Sequence, residues 1–381
     1  MNAQKKEKFG IKNIEVVKRV KQKAKNIKNL FKMDENWKSW SEAYKDEEEH
    51  RLDIDFHKLC NYGITALDDP LLAIAQNELV VIGADTGMGK TEMVLHIARH
   101  NAQNGKKVAI FCLEGGHLEA MQRMKFKDIC ELYFKQRTDN EYIDMDYRKW
   151  MFNELDKQRL TVLSSQVYQE YQEKYKNNLF LFPIKTDFTL DNFISGLLDF
   201  HTLAPDKKNP FMIGSNFAID LVIIDHLQYF SLDKDDNEIT EITKILRTVK
   251  DLVDKSNFPI ILVSHLRKKG KDRGLPGVDD FYGSSNIPKI ATTAITIAPD
   301  TKNDDLHNGI FPTYFRVVKS RIGLRPNYAM LCNFNLAKRT YEDKYKIVKL
   351  DIMGNILPEL AYNQLPKWAR RIYDTRTEGN D

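Results

Sequence analysis

The stretch Glu78 to Arg99, ELVVIGADTGMGKTEMVLHIAR, sets a lysine and a hydroxyl side chain where both can meet a chain of phosphates. Glu78 to Ile82 reads as a short buried strand and a glycine-rich turn follows it. From Lys90 the apolar spacing becomes that of a helix (Met93, Val94, Ile97, Ala98). Strand, loop and helix N-terminus together make a nest of backbone N–H groups around Ala84, Asp85, Thr86, Gly87, Met88 and Gly89, suited to enclosing the phosphates of a nucleotide such as ATP. Lys90 would bring a point charge to the β- and γ-phosphates, and the Thr91 hydroxyl would bind Mg²⁺. Ala84 stands where a glycine is usual in such a loop, and it is small enough to keep the reading.

Further places carry candidate chemistry. Leu221-Val222-Ile223-Ile224-Asp225 is an apolar run closed by a carboxylate, which after a phosphate loop would hold the same Mg²⁺ as Thr91. Glu114 closes the run KVAIFCL, where it either orients the water attacking the γ-phosphate or is a surface residue before a Gly-Gly turn. His265 follows the strand IILVS and either contacts the γ-phosphate or is satisfied locally. The loop His265 to Gly283 holds Arg267, Lys268, Lys269, Lys271 and Arg273, which suit a phosphate backbone read without regard to base; the plain alternative is a solvated loop. Lys319 and Arg321, in VVKSRIG, end a late strand. An arginine offered there to a neighbour's γ-phosphate would stabilise the transition state, a role that needs an oligomer; otherwise the two are a surface pair.

The elements that must position these groups alternate strand with helix, which implies an α/β fold with a mainly parallel sheet covered by helices on both faces. Ligands of such sheets bind beyond the carboxyl ends of the strands, where the phosphate loop, Glu114, Asp225 and His265 fall. A chain of 381 residues, 42% hydrophobic and 29% charged, can bury a full core. The net charge of +4 makes any nucleic-acid site a matter of local clustering. Cys60, Cys112, Cys130 and Cys332 lack metal-ligand spacing and fit a reducing compartment. No apolar run approaches a membrane span, which points to a cytoplasmic protein with no membrane partner. The expected division is a basic helical extension over 1–50, a motor domain over 51–345 and a C-terminal tail over 346–381. In the extension, apolar residues from Ile14 to Phe31 form one helical stripe among lysines. It would touch a membrane surface, nucleic acid or a neighbouring protein, or lie on its own domain.

The order of these motifs resembles the RecA-like hexameric helicases: the replicative DnaB type and the helicase halves of phage primase-helicases and of the mitochondrial helicase. The resemblance runs from about Tyr62 to Tyr341 through YGITALDD, IGADTGMGKTE, IFCLEGG, LVIIDHLQYF, IILVSHLRK, DDFYGSSNIPKIATTAITIA and FRVVKSRIG. It implies a RecA-like P-loop core with Glu114 as catalytic glutamate and His265 as γ-phosphate sensor. Gly283, Ser284 and Ser285 fall in its DNA-binding segment, and Lys319 and Arg321 would act in trans. Phe334 stands where the phage type stacks the adenine. The activity implied is ATP-driven movement of a homo-hexameric ring along single-stranded DNA in bacterial, phage or plasmid replication, with primase or other replication proteins as partners. Three departures stand out: neither a primase module nor a DnaB-sized helical domain precedes the motor, Pro299 and Asp300 replace a nucleotide-side arginine, and FYGSSN lacks an arginine common in the DNA segment. Two alternatives remain: an ATP-switched DNA-binding or helicase-loading protein, and a recombinase or signalling ATPase of the same fold.

Overall fold

The computed structural model describes residues 39–370 apart from 54, 139–142, 184–186, 201–211, 214–215, 218, 233–236, 257, 268–273, 301–308, 322–323 and 325. The basic N-terminal stripe from Ile14 to Phe31 therefore lies outside the described residues. The first described helix is α1 (Trp40–Asp53), and α2 (Thr65–Leu71) follows. A nine-stranded sheet then organises the chain. Its strands are β1 (Leu79–Ala84), β2 (Val108–Cys112), β3 (Leu179–Phe182), β6 (Leu221–Asp225), β7 (Ile260–His265), β8 (Thr293–Pro299), β9 (Ile310–Ser320), β10 (Tyr328–Asn335) and β11 (Thr340–Lys349). Among the described residues, the short β4 (Met212–Ile213) and β5 (Asn216–Phe217) pair only with each other.

The sheet order is β11-β10-β9-β8-β1-β7-β6-β2-β3. From β8 to β3 the pairings are parallel, while β8–β9, β9–β10 and β10–β11 are antiparallel. The continuous apolar runs of the central strands follow from burial on both faces. In β1, Val80, Ile82 and Ala84 join the core on one side, while Leu79 and Val81 join the core on the other. The first face is covered by α2, α3 (Lys90–Gln103) and α4 (Gly116–Gln136), the second by α7 (Leu190–Phe200) and α8 (Glu238–Ser256). A third core joins the distal part of α4 to α6 (Lys157–Lys176) around Phe126, Tyr133 and Leu163, with α5 (Tyr147–Met151) packed against it through Tyr147 and Trp150. Among the described residues no helix is long and apolar enough to cross a membrane.

Two expected boundaries fall inside elements. The division at 50/51 lies within α1, and that at 345/346 lies within β11, which stays paired with β10 from Thr340 to Lys349. β11 was hidden by its composition: TYEDKYKIVK is a charged edge strand, and charge on an edge blocks pairing with other chains.

Charged groups lock α3 against α4. The Arg99 guanidinium bonds Asp128 and Glu131. Lys127 Nζ lies 2.6 Å from His96 Nδ1, and His96 Nε2 lies 2.6 Å from the Gly63 carbonyl. Burial pushes the Lys127 ammonium down to about 7, helped by Arg99, and burial also holds His96 neutral.

Candidate active site

β1 delivers the chain to a loop in which Gly87 and Gly89 take φ of 80° and 76°. A Cβ at either position would meet open space, so the left-handed backbone is what calls for glycine there. Ala84 is fully buried, and the glycine before it is needed for a different reason: a Cβ on Gly83 would sit 2.7 Å from both Leu266 and Phe281. The segment after β7 thus rests directly on the phosphate-loop strand. Asp85, Thr86, Gly87, Met88 and Gly89 run from β1 to the first turn of α3, and Thr86 to Met88 are exposed. Met88 and Gly89 line a cleft of about 570 Å³ with Thr86, Gly87, Lys90 and Thr91.

Lys90 is 5% exposed and folds back on its own loop. Its ammonium donates to the carbonyls of Ala84 (3.1 Å) and Asp85 (2.9 Å), and to His265 Nδ1 at 3.1 Å. Burial lowers its proton affinity, against the pull of Glu114, Asp225 and Asp85. Since a lysine ammonium only donates, His265 Nδ1 accepts, which leaves His265 Nε2 as the N–H of the neutral ring.

Asp225 ends β6 two strands from β1, at 4% exposure. Thr91 hydrogen-bonds its carboxylate, yet Oδ1 is buried with no hydrogen-bond partner among the described residues. Burial pushes this carboxyl up to about 6. A buried carboxylate oxygen lacking a partner, beside a threonine hydroxyl at the head of a phosphate loop, is a hard-oxygen donor set that fits Mg²⁺. Glu114 follows β2, whose Cys112 pairs with Asp225, and is 40% exposed. Its Oε2 lies 3.3 Å from Nε2 of His226, a buried residue.

The structure therefore brings Lys90, Thr91, Glu114, Asp225 and His265 to one edge of the sheet. Phe334, half-buried on β10, lines the same cleft from the far side with Pro299 and Phe311, its ring 5.0 Å from that of Tyr341. Four charged lining residues, Glu92, Glu119, Arg123 and Arg339, were not singled out in the sequence. Glu92, next to Thr91, is bonded by Arg123 of α4 at 2.7 Å and by Arg339 of the β10–β11 turn at 2.5 Å. Arg123 also bonds Glu119 at 2.6 Å. Arg339 is 247 residues from Glu92 along the chain, so spacing held no signal for the pair.

Lys319 and Arg321 are not in this group. Ser320 pairs with Thr293, and Thr293 with Val80, so Arg321 follows a residue level with the start of β1. Arg321 is exposed, while Lys319 donates to the carbonyls of Lys289 (2.7 Å) and Ala291 (2.6 Å), at the end of α9 (Asn286–Ile290).

The nucleic-acid candidates divide. Arg267 is exposed, while Lys268, Lys269, Lys271 and Arg273 lie outside the described residues. Gly283 has φ of 90° and packs on α8, where a Cβ would sit 2.5 Å from Ile242 Cδ1. Ser285 is exposed at the head of α9. Ser284 corrects the expectation of a strand-contacting residue. It is 1% exposed, and its hydroxyl lies 3.3 Å from Thr243 Oγ1 and accepts the Asn286 N–H, so it braces the segment from inside.

Comparison with known proteins gives these features a family. A profile for the DnaB-like helicase C terminal domain matches residues 60–167 and 211–341, more than half of the chain. The replicative DNA helicase DnaB of Mycoplasma pneumoniae is 24% identical over 304 residues, covering 75% of this chain and 58% of that protein. A probable plasmid replicative DNA helicase of Chlamydia psittaci is 25% identical over 277 residues, covering 70% and 53%. The chain thus spans little more than half the length of these curated relatives. Among solved structures, a DnaB-like replicative helicase described with its interactions with primase matches with a TM-score of 0.57 at 18% identity, covering 92% of this chain and 73% of that one. A second solved structure, described as an ATPase domain, matches with a TM-score of 0.54 at 19% identity, covering 86% and 100%. At these identities the structural matches speak for a shared RecA-like fold.

Proposed function

The chain belongs to the DnaB-like helicase C-terminal domain family, and on that premise we propose that it is the motor of a replicative DNA helicase: a ring, of six subunits, that hydrolyses ATP between neighbouring protomers and moves along single-stranded DNA. The observation that carries the shared pocket is the register of the sheet. Arg321 follows a residue level with Val80, five residues before the loop begins at Asp85, and a strand rises about 3.3 Å per residue. The Arg321 backbone is therefore roughly 15–20 Å below the phosphate loop of its own chain, measured along the strands. A finger role is open to it only at the nucleotide of an adjacent subunit, where it would add on the order of 10³ to 10⁵ to the rate.

In this reading Lys90 leaves the Ala84 and Asp85 carbonyls for the β- and γ-phosphates, and the loop N–H groups hold the phosphate oxygens. Thr91 and Asp225 would hold Mg²⁺, which would supply charge neutralisation at the phosphates. Glu114 orients the attacking water, and His265 offers its Nε2–H to the γ-phosphate while Nδ1 faces Lys90. Phe334 gives the base an apolar face. Gly83 lets Phe281 lie on β1, so loss of the γ-phosphate is felt in the segment that carries Arg267, Gly283 and Ser285. Lys319, tied to the end of α9, links the same segment to the neighbour-facing edge.

The proposed partners are single-stranded DNA, further copies of the chain and, by analogy with the relative described with primase, a primase or other replication protein. The proposed setting is the cytoplasm of a cell that carries a bacterial, phage or plasmid replicon. Hydrolysis measured with and without single-stranded DNA, beside strand displacement on a forked duplex, tests the reading. DNA-stimulated hydrolysis with displacement supports a helicase; stimulation without displacement supports a loader or switch.

A further inference from the structure

His226 is 1% exposed, and its surroundings fix which ring nitrogen carries the proton. The Gln228 amide has a set orientation. Its Oε1 accepts the His265 backbone N–H at 3.1 Å, and its Nε2 donates to the Ser264 hydroxyl at 3.0 Å and towards the Tyr282 carbonyl at 3.5 Å. An oxygen is thus what His226 Nδ1 meets at 3.1 Å, so Nδ1 carries the hydrogen and donates it. With the ring's one hydrogen on Nδ1, Nε2 is a bare acceptor, and it is buried without a hydrogen-bond partner among the described residues. It faces Glu114 Oε2, a second acceptor, at 3.3 Å. Two acceptors opposed with no hydrogen between them call for a donor. Glu114, at 40% exposure, is the one able to swing and admit it.

From this arrangement we infer that His226 Nε2 is a second acceptor for the water that attacks the γ-phosphate, so that Glu114 and His226 together aim the water's oxygen at phosphorus. The inference rests on the reading of Glu114 given above. As the water oxygen bonds phosphorus, the bond from phosphorus to the bridging oxygen breaks and ADP leaves with that electron pair. The water proton passes to the Glu114 carboxylate and from there to the departing phosphate. His226 accepts a hydrogen bond throughout and takes no proton. Gln228 is a positioning residue. It sets the tautomer, and its reach to Tyr282 lets movement of the nucleic-acid segment alter the aim of the water.

Single-turnover hydrolysis by the assembled chain, beside the affinity for a fluorescent ATP analogue, tests this in Glu114→Gln, His226→Phe, His226→Gln and the Glu114→Gln/His226→Phe double variant. His226→Phe keeps the ring volume and removes the acceptor, so hydrolysis should slow by about 10-fold or more with affinity unchanged within about twofold. His226→Gln, which returns an acceptor oxygen, should recover part of the rate. The double variant should be no slower than Glu114→Gln alone, because both groups act on one water. A wild-type rate in His226→Phe, a parallel loss of affinity, or a fully additive double variant would overturn the inference. Wild-type hydrolysis by Glu114→Gln would instead defeat the reading of Glu114 itself. Should His226→Phe fail to fold, Gln228→Met in the same assay decides: slower hydrolysis with affinity kept supports the tautomer argument, and a wild-type rate overturns it.

Discussion

Lys90 and Arg321 stand at opposite ends of one β-sheet. Lys90 opens the helix reached through the loop that leaves the carboxyl end of β1. Arg321 follows Ser320, which is level through Thr293 with the start of that strand. The register separates the two along the strand direction within a single chain. The proposed sharing of a pocket between subunits rests on that register, and the predictions below probe what holds each half in place.

The Glu92–Arg339 contact fastens the β10–β11 turn to the first turn of α3. It thereby sets the distance between Phe334 and the phosphate loop. Arg339 is 6% exposed, and its guanidinium lies over the rings of Tyr147 and Phe126 at 5.2 and 5.7 Å. Arg339→Met keeps the packing volume and removes the tie, while Glu92 retains Arg123. Affinity for ATP should fall about 10-fold, or about 1.4 kcal/mol. Titration with a fluorescent ATP analogue measures it.

Lys127 gives a pH dependence. Its folded-state value of about 7 lies below the ordinary 10.5, so between those values the unfolded chain binds the proton and the native chain does not. The stability it contributes is whole above about pH 10.5 and is lost as pH falls towards about 7, below which both states are protonated. Across that window the native protein should lose up to about 1.4 kcal/mol per pH unit from this group, and the loss should level off below it. Thermal melts from about pH 9 down to about pH 6 should show the decline and its end, and Lys127→Met should flatten it.

Gly283→Ala would set a Cβ 2.5 Å from Ile242 Cδ1 at a φ of 90°. The Tyr282–Ser285 segment must then lift from α8. Affinity for a fluorescent single strand should fall several-fold while ATP affinity holds, since Gly283 is not among the residues that line the cleft. Anisotropy measures the first quantity and ATP-analogue titration the second.

Much of the candidate cleft on the β1 side was legible, for a physical reason. Central strands buried on both faces read as unbroken apolar runs, and each polar residue that ends one (Glu114, Asp225, His265) emerges at the same edge. Residues paired across long separations were not legible. Glu92 and Arg339 meet only because β10 and β11 fold back over α3, and Lys319 finds carbonyls that only the packing of α9 puts in reach. Ser284 misled because a serine beside glycine in a loop looks the same in sequence whether it faces solvent or a helix. The charged β11 carried too little apolar signal to be counted as a strand.

The central claim, that one protomer holds the triphosphate and the next supplies the arginine, is tested most directly by mixing two inactive variants. Lys90→Met lacks the phosphate lysine and Arg321→Ala lacks the finger, and each alone should assemble but fail to hydrolyse ATP. Mixed rings contain interfaces in which an intact loop faces an intact arginine, so the account predicts hydrolysis returning in the mixture. A mixture as silent as its parents, or full hydrolysis by Arg321→Ala alone, would contradict it.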